Sequence, residues 1–304
     1  MQQQTPLPDQ RYVPCPVCLD ARSETSFEVR GYRIARCGGC GFLFVNPRPT
    51  EAGLLALYAA RGGNPFMNPR FEPFEDELPV LRIVVSRLQR HTPSGHLLEL
   101  GCGRGDLLRV AAEAGYEAEG CDLFGGNVPA CPGARLHDGF LRDLALPGAS
   151  FDVVVTRNTL EHLENPEIEL REIARILRPG GLLYVKVPNE RYEHGWRSRM
   201  AFQQKHIFDP PWHLNHFSPP RLAQLLRRVG FVPVAWETER PTAERSPLKN
   251  AVRLGGYGLS RIMHVLSGGR FFPQPAVVCL ARRGAKMDLP QPATAQIPVR
   301  PASR

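Results

Sequence analysis

Hydrophobic positions along the chain follow two different periods, and the points where the period changes mark its organisation. Residues 1–10 are polar and proline-containing, a loose lead-in. Between residues 11 and 48, the stretches 26–30 and 32–36 alternate apolar and polar side chains on either side of Gly31, which predicts two short strands of a small β module. From Thr50 to about His91 the spacing becomes helical. Thr50 caps a helix running through Tyr58, and residues 78–89 form a second, amphipathic one. These helices, within residues 49–94, are expected to link the module to a larger domain.

From Gly95 the pattern alternates between strand and helix. Residues 96–100 read as an apolar strand, 106–114 as a helix and 117–121 as a second strand, while 152–156 is a valine run suited to a buried parallel strand. Residues 168–177 form a helix stopped by Pro179-Gly-Gly181, followed by a strand over 182–187. A helix over 219–229 closes at Gly230, with strands at 231–236 and 276–281 after it. This order predicts an α/β fold, a doubly wound Rossmann-like sheet over residues 95–285, preceded by the small module. The Pro-, Ala- and Gln-rich residues 286–304 read as a disordered tail.

Composition agrees with two units. A chain of 304 residues holds one α/β domain of ordinary size plus a smaller module, and 42% hydrophobic residues suffice for a buried core. No apolar run approaches the roughly 20 residues needed to cross a bilayer, and the Gln-rich start lacks the regions of a signal peptide, so a cytoplasmic location is expected. The net charge of +8 is uneven, since from Gly180 onward 19 Lys or Arg face 7 Asp or Glu. That half reflects either arginine-rich base composition or contact with an anionic substrate, nucleic acid or membrane surface.

Four of the eight cysteines form two close pairs, Cys15-Pro-Val-Cys18 and Cys37-Gly-Gly-Cys40. Two turns at this separation supply four thiolates to one tetrahedral Zn²⁺, closed to substrate and therefore structural, in a module too small to bury a sufficient core. The module is expected to be a zinc ribbon over residues 11–48.

The first strand of the larger domain runs through Glu99 into Gly101, Gly103 and Gly105 just before a helix, which lets backbone N–H groups approach a nucleotide-like ligand. The dinucleotide fingerprint would need glycine at 106, where Asp106 places a carboxylate instead. S-adenosylmethionine has no phosphate and carries a sulfonium cation, so Glu99 and Asp106 suit it. Asp122, closing the second strand, can accept both ribose hydroxyls.

These residues, with Gly120-Cys-Asp-Leu123, Ser150-Phe-Asp-Val-Val-Val155, Leu160-Glu-His-Leu163 and Leu177-Arg-Pro-Gly-Gly-Leu182, resemble class I S-adenosylmethionine-dependent methyltransferases over roughly residues 95–240. The resemblance implies the methionine end against the glycine loop, the ribose on Asp122, and the adenine between Leu123 and the turn at Gly139-Phe140-Leu141, with Asn158 also on the cofactor side. Many members carry Asp where this chain has Phe140, which leaves backbone contacts to the adenine. The segment after the second strand, 124–134, is poor in helix formers. The cysteine pairs followed by Phe42-Leu-Phe-Val-Asn-Pro-Arg-Pro49 resemble the zinc-ribbon lead-in of a bacterial subgroup, and a similar module precedes certain ribosomal RNA methyltransferases.

Methyl transfer is an in-line displacement, so the protein mainly supplies alignment and a dry pocket. The acceptor belongs over the carboxyl ends of the strands, near Arg157-Asn158, Glu161-His162 and a lid at about 188–218. His206, His213 and His216 fall in that lid among three aromatics. His213 and His216 are the preferred candidates for a general base, with His162 a further one that also suits bracing of the cofactor loop. A divalent cation on His213 and His216 lacks a carboxylate partner. Residues 251–267, with Arg253 and Arg261 among apolar positions and Phe271-Phe272 beyond, form part of a C-terminal cover (about 241–285) that packs on the domain, closes the site or meets a membrane surface. The favoured reading is a methyltransferase acting on a small molecule, most readily at an oxygen of a sugar, lipid-linked or secondary-metabolite acceptor. RNA methylation through the ribbon and basic half, and a catalytically silent scaffold, are the alternatives.

Overall fold

The period-two stretch around Gly31 folds as a hairpin in the computed structural model, which describes residues 9–60, 74–123, 133–195, 208–238, 247–267 and 274–284. Residues 124–132, part of the expected lid including His206, Phe271-Phe272 and the tail lie outside the described residues. After the short β1 (Gln10–Arg11), strands β2 (Ser23–Val29) and β3 (Tyr32–Cys37) pair antiparallel and turn through Arg30 and Gly31, both left-handed. β4 (Leu43–Val45) pairs with β3, and β5 (Arg48–Pro49) returns to β1. Helix α1 (Glu51–Ala60) starts where Thr50 predicts, with its hydroxyl accepting from Gly53 N–H at 3.1 Å. Helix α2 (Phe74–Gln89) follows, beginning upstream of the predicted residue 78.

The main sheet is built from β6 (Gly95–Leu100), α3 (Asp106–Glu113), β7 (Tyr116–Asp122), β8 (Ala134–Asp138), β9 (Phe151–Arg157), α4 (Pro166–Ile176) and β10 (Leu177–Pro188). After α5 (Glu190–Gly195) come β11 (Asn215–His216), α6 (Pro219–Arg228), β12 (Phe231–Glu237), α7 (Pro247–Leu266) and β13 (Ala276–Arg283). Seven strands lie in the order β12-β13-β10-β9-β6-β7-β8, and β13 alone runs against the others. Because β7 and β9 flank β6 on opposite sides, the order reverses there and leaves a crevice at the carboxyl ends. Val153, Val154 and Val155 are fully buried at the centre, covered on both faces as the unbroken valine run requires.

Four sequence expectations change. Helix α4 begins at Pro166, with Asn165 accepting from Glu167 N–H, and ends at Ile176; Pro179-Gly-Gly181 sits in a register shift within β10 and not at a helix stop. The edge strand β8 alternates only over Ala134 and Leu136, which pack on the core, too short a pattern to predict a strand. Residues 215–216 do not belong to a separate lid. They form β11, which pairs with β4 and completes the ribbon's sheet in the order β11-β4-β3-β2. Finally, α7 does not bury an apolar face against the domain, since Leu248, Val252, Leu259, Ile262 and Leu266 are all exposed.

Candidate active site

The crevice at the carboxyl ends widens into a cavity of about 570 Å³. Its first end is backbone. Gly101, Gly103 and Gly105 all take left-handed φ values (73°, 51° and 75°), and a Cβ on Gly101 would collide with Thr159. The Gly101 N–H donates to Cys121 O at 2.8 Å, and the Gly103 N–H to Asp122 Oδ2 at 3.0 Å, so the loop is folded back onto the end of β7. Asp122, Leu123, Gly139 and Phe140 continue this wall, with the Arg142 guanidinium 4.0 Å from the Phe140 ring centroid. Asn158 lines the cavity too, in a left-handed conformation with its N–H donating to Lys186 O.

Three residues expected at the cofactor lie behind this wall. Glu99 is buried in β6, and desolvation raises its carboxyl to about 8 although Arg157 opposes the shift. Gly105 caps α3, and Leu141 is fully buried in the core. They support the wall without lining it. Asp106, at the start of α3, pairs with Arg104 at 2.9 Å.

The second end is made of side chains. Glu161, His162, Trp212 and His213 face Glu51, Leu54 and Tyr58 of α1, a helix whose sequence marked it only as a connector. Arg142 fixes α1 from below, donating to Glu51 at 2.7 Å and to the buried Glu169 at 2.8 Å. Tyr58 and Trp212 pack with their rings tilted by 54° and their centroids 4.8 Å apart, closing that side.

Glu161 is 1% exposed, and neither carboxylate oxygen has a hydrogen-bond partner among the described residues. Desolvation raises it to about 8, with Lys186 opposing. Burial acts oppositely on His162, lowering it to about 3 and keeping it neutral, with Nδ1 donating to Trp212 O at 2.9 Å. Its Nε2 lies 3.9 Å from Glu161 Oε1, and the His213 ring is 4.8 Å away. Ligand atoms of Glu161, His162 and His213 lie within 4.8 Å of one another. The carboxylate missing from the sequence reading of a cation site is therefore Glu161, and its partners are His162 and His213.

His216 is a correction. It sits in β11 opposite Leu43, 2% exposed, against Phe208, and takes no part in the cavity wall. Burial holds it well below the usual histidine range. The strand that carries it instead supports the acceptor end. Asn215 donates from Nδ2 to Leu160 O and Leu163 O, and the Leu214 and Asn215 N–H groups reach Glu161 O. Arg48, fully buried, donates to Val45 O, Glu164 O and Asn215 Oδ1. The ribbon thus grips residues 160–164 from behind, a link across more than 100 residues that no local spacing reveals.

In the ribbon, Cys15 and Cys40 sulfurs lie 3.6 Å apart and those of Cys18 and Cys37 3.4 Å apart, with all four within 4.8 Å. Thiolates around tetrahedral zinc sit about 3.8 Å from one another, so the four cysteines fit such an ion.

A seven-stranded sheet with one reversed strand and a glycine-lined crevice at its switch point defines a Rossmann-like methyltransferase fold. A profile of the methyltransferase domain matches residues 76–235, more than half of the chain. A probable S-adenosylmethionine-dependent methyltransferase of Mycolicibacterium smegmatis is 30% identical over 154 residues, covering 49% of this chain and 56% of that protein. A ubiquinone biosynthesis O-methyltransferase of Cereibacter sphaeroides is 30% identical over 214 residues, covering 61% of this chain and 83% of the relative. The crystal structure of a Burkholderia thailandensis 1,6-didemethyltoxoflavin-N1-methyltransferase, with that compound and S-adenosylhomocysteine bound, aligns with a TM-score of 0.52 at 18% identity, over 86% of this chain and 99% of its own. This chain belongs to the S-adenosylmethionine-dependent methyltransferase family. It spans little more than half the length of the mycobacterial relatives it matches.

Proposed function

We propose that the protein transfers a methyl group from S-adenosylmethionine to a hydroxyl of a small-molecule acceptor, with Glu161 taking the acceptor's proton. The observation carrying this reading is the single cavity that joins the glycine loop and Asp122 to the buried, unpartnered carboxyl of Glu161. S-adenosylmethionine, when bound, supplies an electrophilic methyl on a sulfonium. The Gly101 and Gly103 backbone admits its amino acid end without side-chain obstruction, and the Asp122 carboxylate, which accepts from Gly103 N–H through Oδ2, lies at the end of β7 to receive the ribose hydroxyls. Glu161 becomes a competent base as it ionises near pH 8, and His162 and His213 orient the acceptor. Tyr58 and Trp212 exclude water. Enclosure by α1 favours a small acceptor over a polynucleotide, and the ubiquinone-pathway relative favours oxygen over nitrogen. A sugar, lipid-linked or secondary-metabolite hydroxyl remains the acceptor class. The four ribbon cysteines hold a structural Zn²⁺.

Incubation with methyl-labelled S-adenosylmethionine and separate small-molecule, RNA and protein extracts tests the reading; label entering RNA alone overturns it. Once an acceptor is found, turnover should rise about tenfold per pH unit below 8 and level off above it, and Glu161→Gln should remove that rise with a loss of about 10²- to 10⁴-fold. The same three side chains also suit a divalent cation that would polarise the hydroxyl. Loss of activity on chelation, with recovery on adding Mg²⁺ or Zn²⁺, would assign Glu161 to that cation in place of the proton.

A further inference from the structure

Helix α7 is amphipathic in the wrong sense for a helix that merely covers a core. At 100° per residue, Leu248, Val252, Leu259, Ile262 and Leu266 fall within an arc of about 80°. They are 57–81% exposed. Val265, 70% exposed, flanks the arc. The opposite side carries Tyr257, Ser260 and His264, and it is this polar side that faces the protein. Ser260 is buried, and the Tyr257 hydroxyl reaches Thr238 O at 3.4 Å. An outward apolar stripe of this length marks an interaction surface, not a packing face.

We infer that α7 lies on the surface of an anionic phospholipid bilayer. Residues 247–267 contain no Asp or Glu and carry Lys249, Arg253 and Arg261, and Arg270 follows. A cationic helix with an apolar face and no acidic residue complements anionic headgroups over acyl chains. A second copy of the chain would leave these cations without an acidic partner on the facing helix, whereas anionic headgroups supply one. Among the described residues no helix is long and apolar enough to span a membrane, so the contact is peripheral.

The position of the helix gives the contact a use. β12 leads into α7 and β13 leaves it; Glu237 pairs with Val278, and Ala276 with Pro188 at the carboxyl end of β10. The helix therefore emerges from the edge of the sheet on which the cavity opens. An acceptor whose apolar tail stays in the bilayer would present its hydroxyl at that edge, a consequence that rests on the methyl-transfer reading; the docking does not.

Co-sedimentation of the full chain with phosphatidylcholine vesicles, with and without about one third phosphatidylglycerol, tests the docking. Calorimetry with S-adenosylhomocysteine runs in parallel. The protein should sediment with the anionic vesicles, be released by high salt, and lose affinity by about tenfold in Leu259→Glu/Ile262→Glu and by less in Arg261→Glu, with S-adenosylhomocysteine binding unchanged. No sedimentation of ligand-competent protein overturns the inference, as does wild-type affinity in a folded double variant. So does concentration-dependent self-association abolished by Ile262→Glu without any vesicle binding, which assigns the face to a second copy. Vesicle binding without S-adenosylhomocysteine binding would leave the docking standing and overturn the proposed reaction.

Discussion

The cofactor end and the acceptor end of one cavity are built by different means. At the first, the cradle of backbone N–H groups and one carboxylate lies between Leu100 and Leu123 and forms because a strand, a turn and a helix are contiguous in the chain, with Gly139 and Phe140 extending its wall. At the second, α1, the segment after β9 and residues 212–213 come from three regions, the nearest two 50 residues apart, held together by Arg142, Arg48 and Asn215. A contiguous site survives changes elsewhere in the fold. An assembled site depends on every element that grips it.

The sharpest way to break the first end is to occupy its cradle. Gly101→Val puts a β-branched side chain at φ 73° and drives it into Thr159, whose hydroxyl already bonds Leu100 O and Arg157 O. The left-handed backbone alone costs about 1–2 kcal/mol, and relieving the clash moves the loop. We expect S-adenosylhomocysteine affinity to fall at least about 100-fold, read by calorimetry, since each tenfold corresponds to about 1.4 kcal/mol. Affinity within a few-fold of wild type would mean that the cofactor does not use this cradle.

The same difference explains what could be read from the sequence. Glycines at 101, 103 and 105 and the acid at 122 share one βαβ unit, so their spacing already contains their geometry. The cysteine pairs are legible for the same reason, because each pair is a turn. Glu161 was visible as a motif, but nothing in Leu160-Glu-His-Leu163 indicates that the carboxyl would be sealed from water while His162 turned to Trp212 O. Tyr58 and Glu51 looked like ordinary helix residues, because a helix pattern reports its own periodicity and not what its second face meets. His216 misled in the opposite direction. Its proximity in sequence to His213 suggested a shared site, yet strand alternation within β11 and its pairing with β4 send it to the ribbon side.

The second end should respond to damage far from it. Cys37→Ser removes one of four candidate zinc ligands, and loss of a structural metal unfolds a module that depends on it. With β4 disordered, β11 loses its partner, and the Arg48 and Asn215 contacts to residues 160–164 go with it. Turnover should fall about tenfold or more, because a misplacement of about 1 Å at an aligned site is enough to do so. Affinity for S-adenosylhomocysteine should change by less than about threefold, in keeping with the contiguous character of its end. Equal losses in both measurements would erase the distinction between the two ends, and full activity would show that the ribbon does not position Glu161.

The smallest effect is expected at His216, and it bears directly on where chemistry stops and support begins. A histidine that serves as base must reach the acceptor and hold a proton near neutral pH. This one is packed between Leu43's strand and Phe208, and burial together with the nearby His213 and Arg48 keeps it neutral. Neither ring nitrogen has a hydrogen-bond partner among the described residues, so the side chain is already a desolvated polar group in an apolar setting. Replacing it by Leu removes two unsatisfied polar atoms and leaves a side chain of similar volume, so the change in stability should lie within about 1 kcal/mol, in either direction. Turnover should stay within about twofold, because the strand pairing that supports Glu161 is made by backbone and by Asn215, not by this ring. Thermal melting and a turnover assay read both quantities in one preparation. A loss comparable to that of Glu161→Gln, with melting unchanged, would return His216 to the reaction and require the β11 segment to leave the ribbon during catalysis.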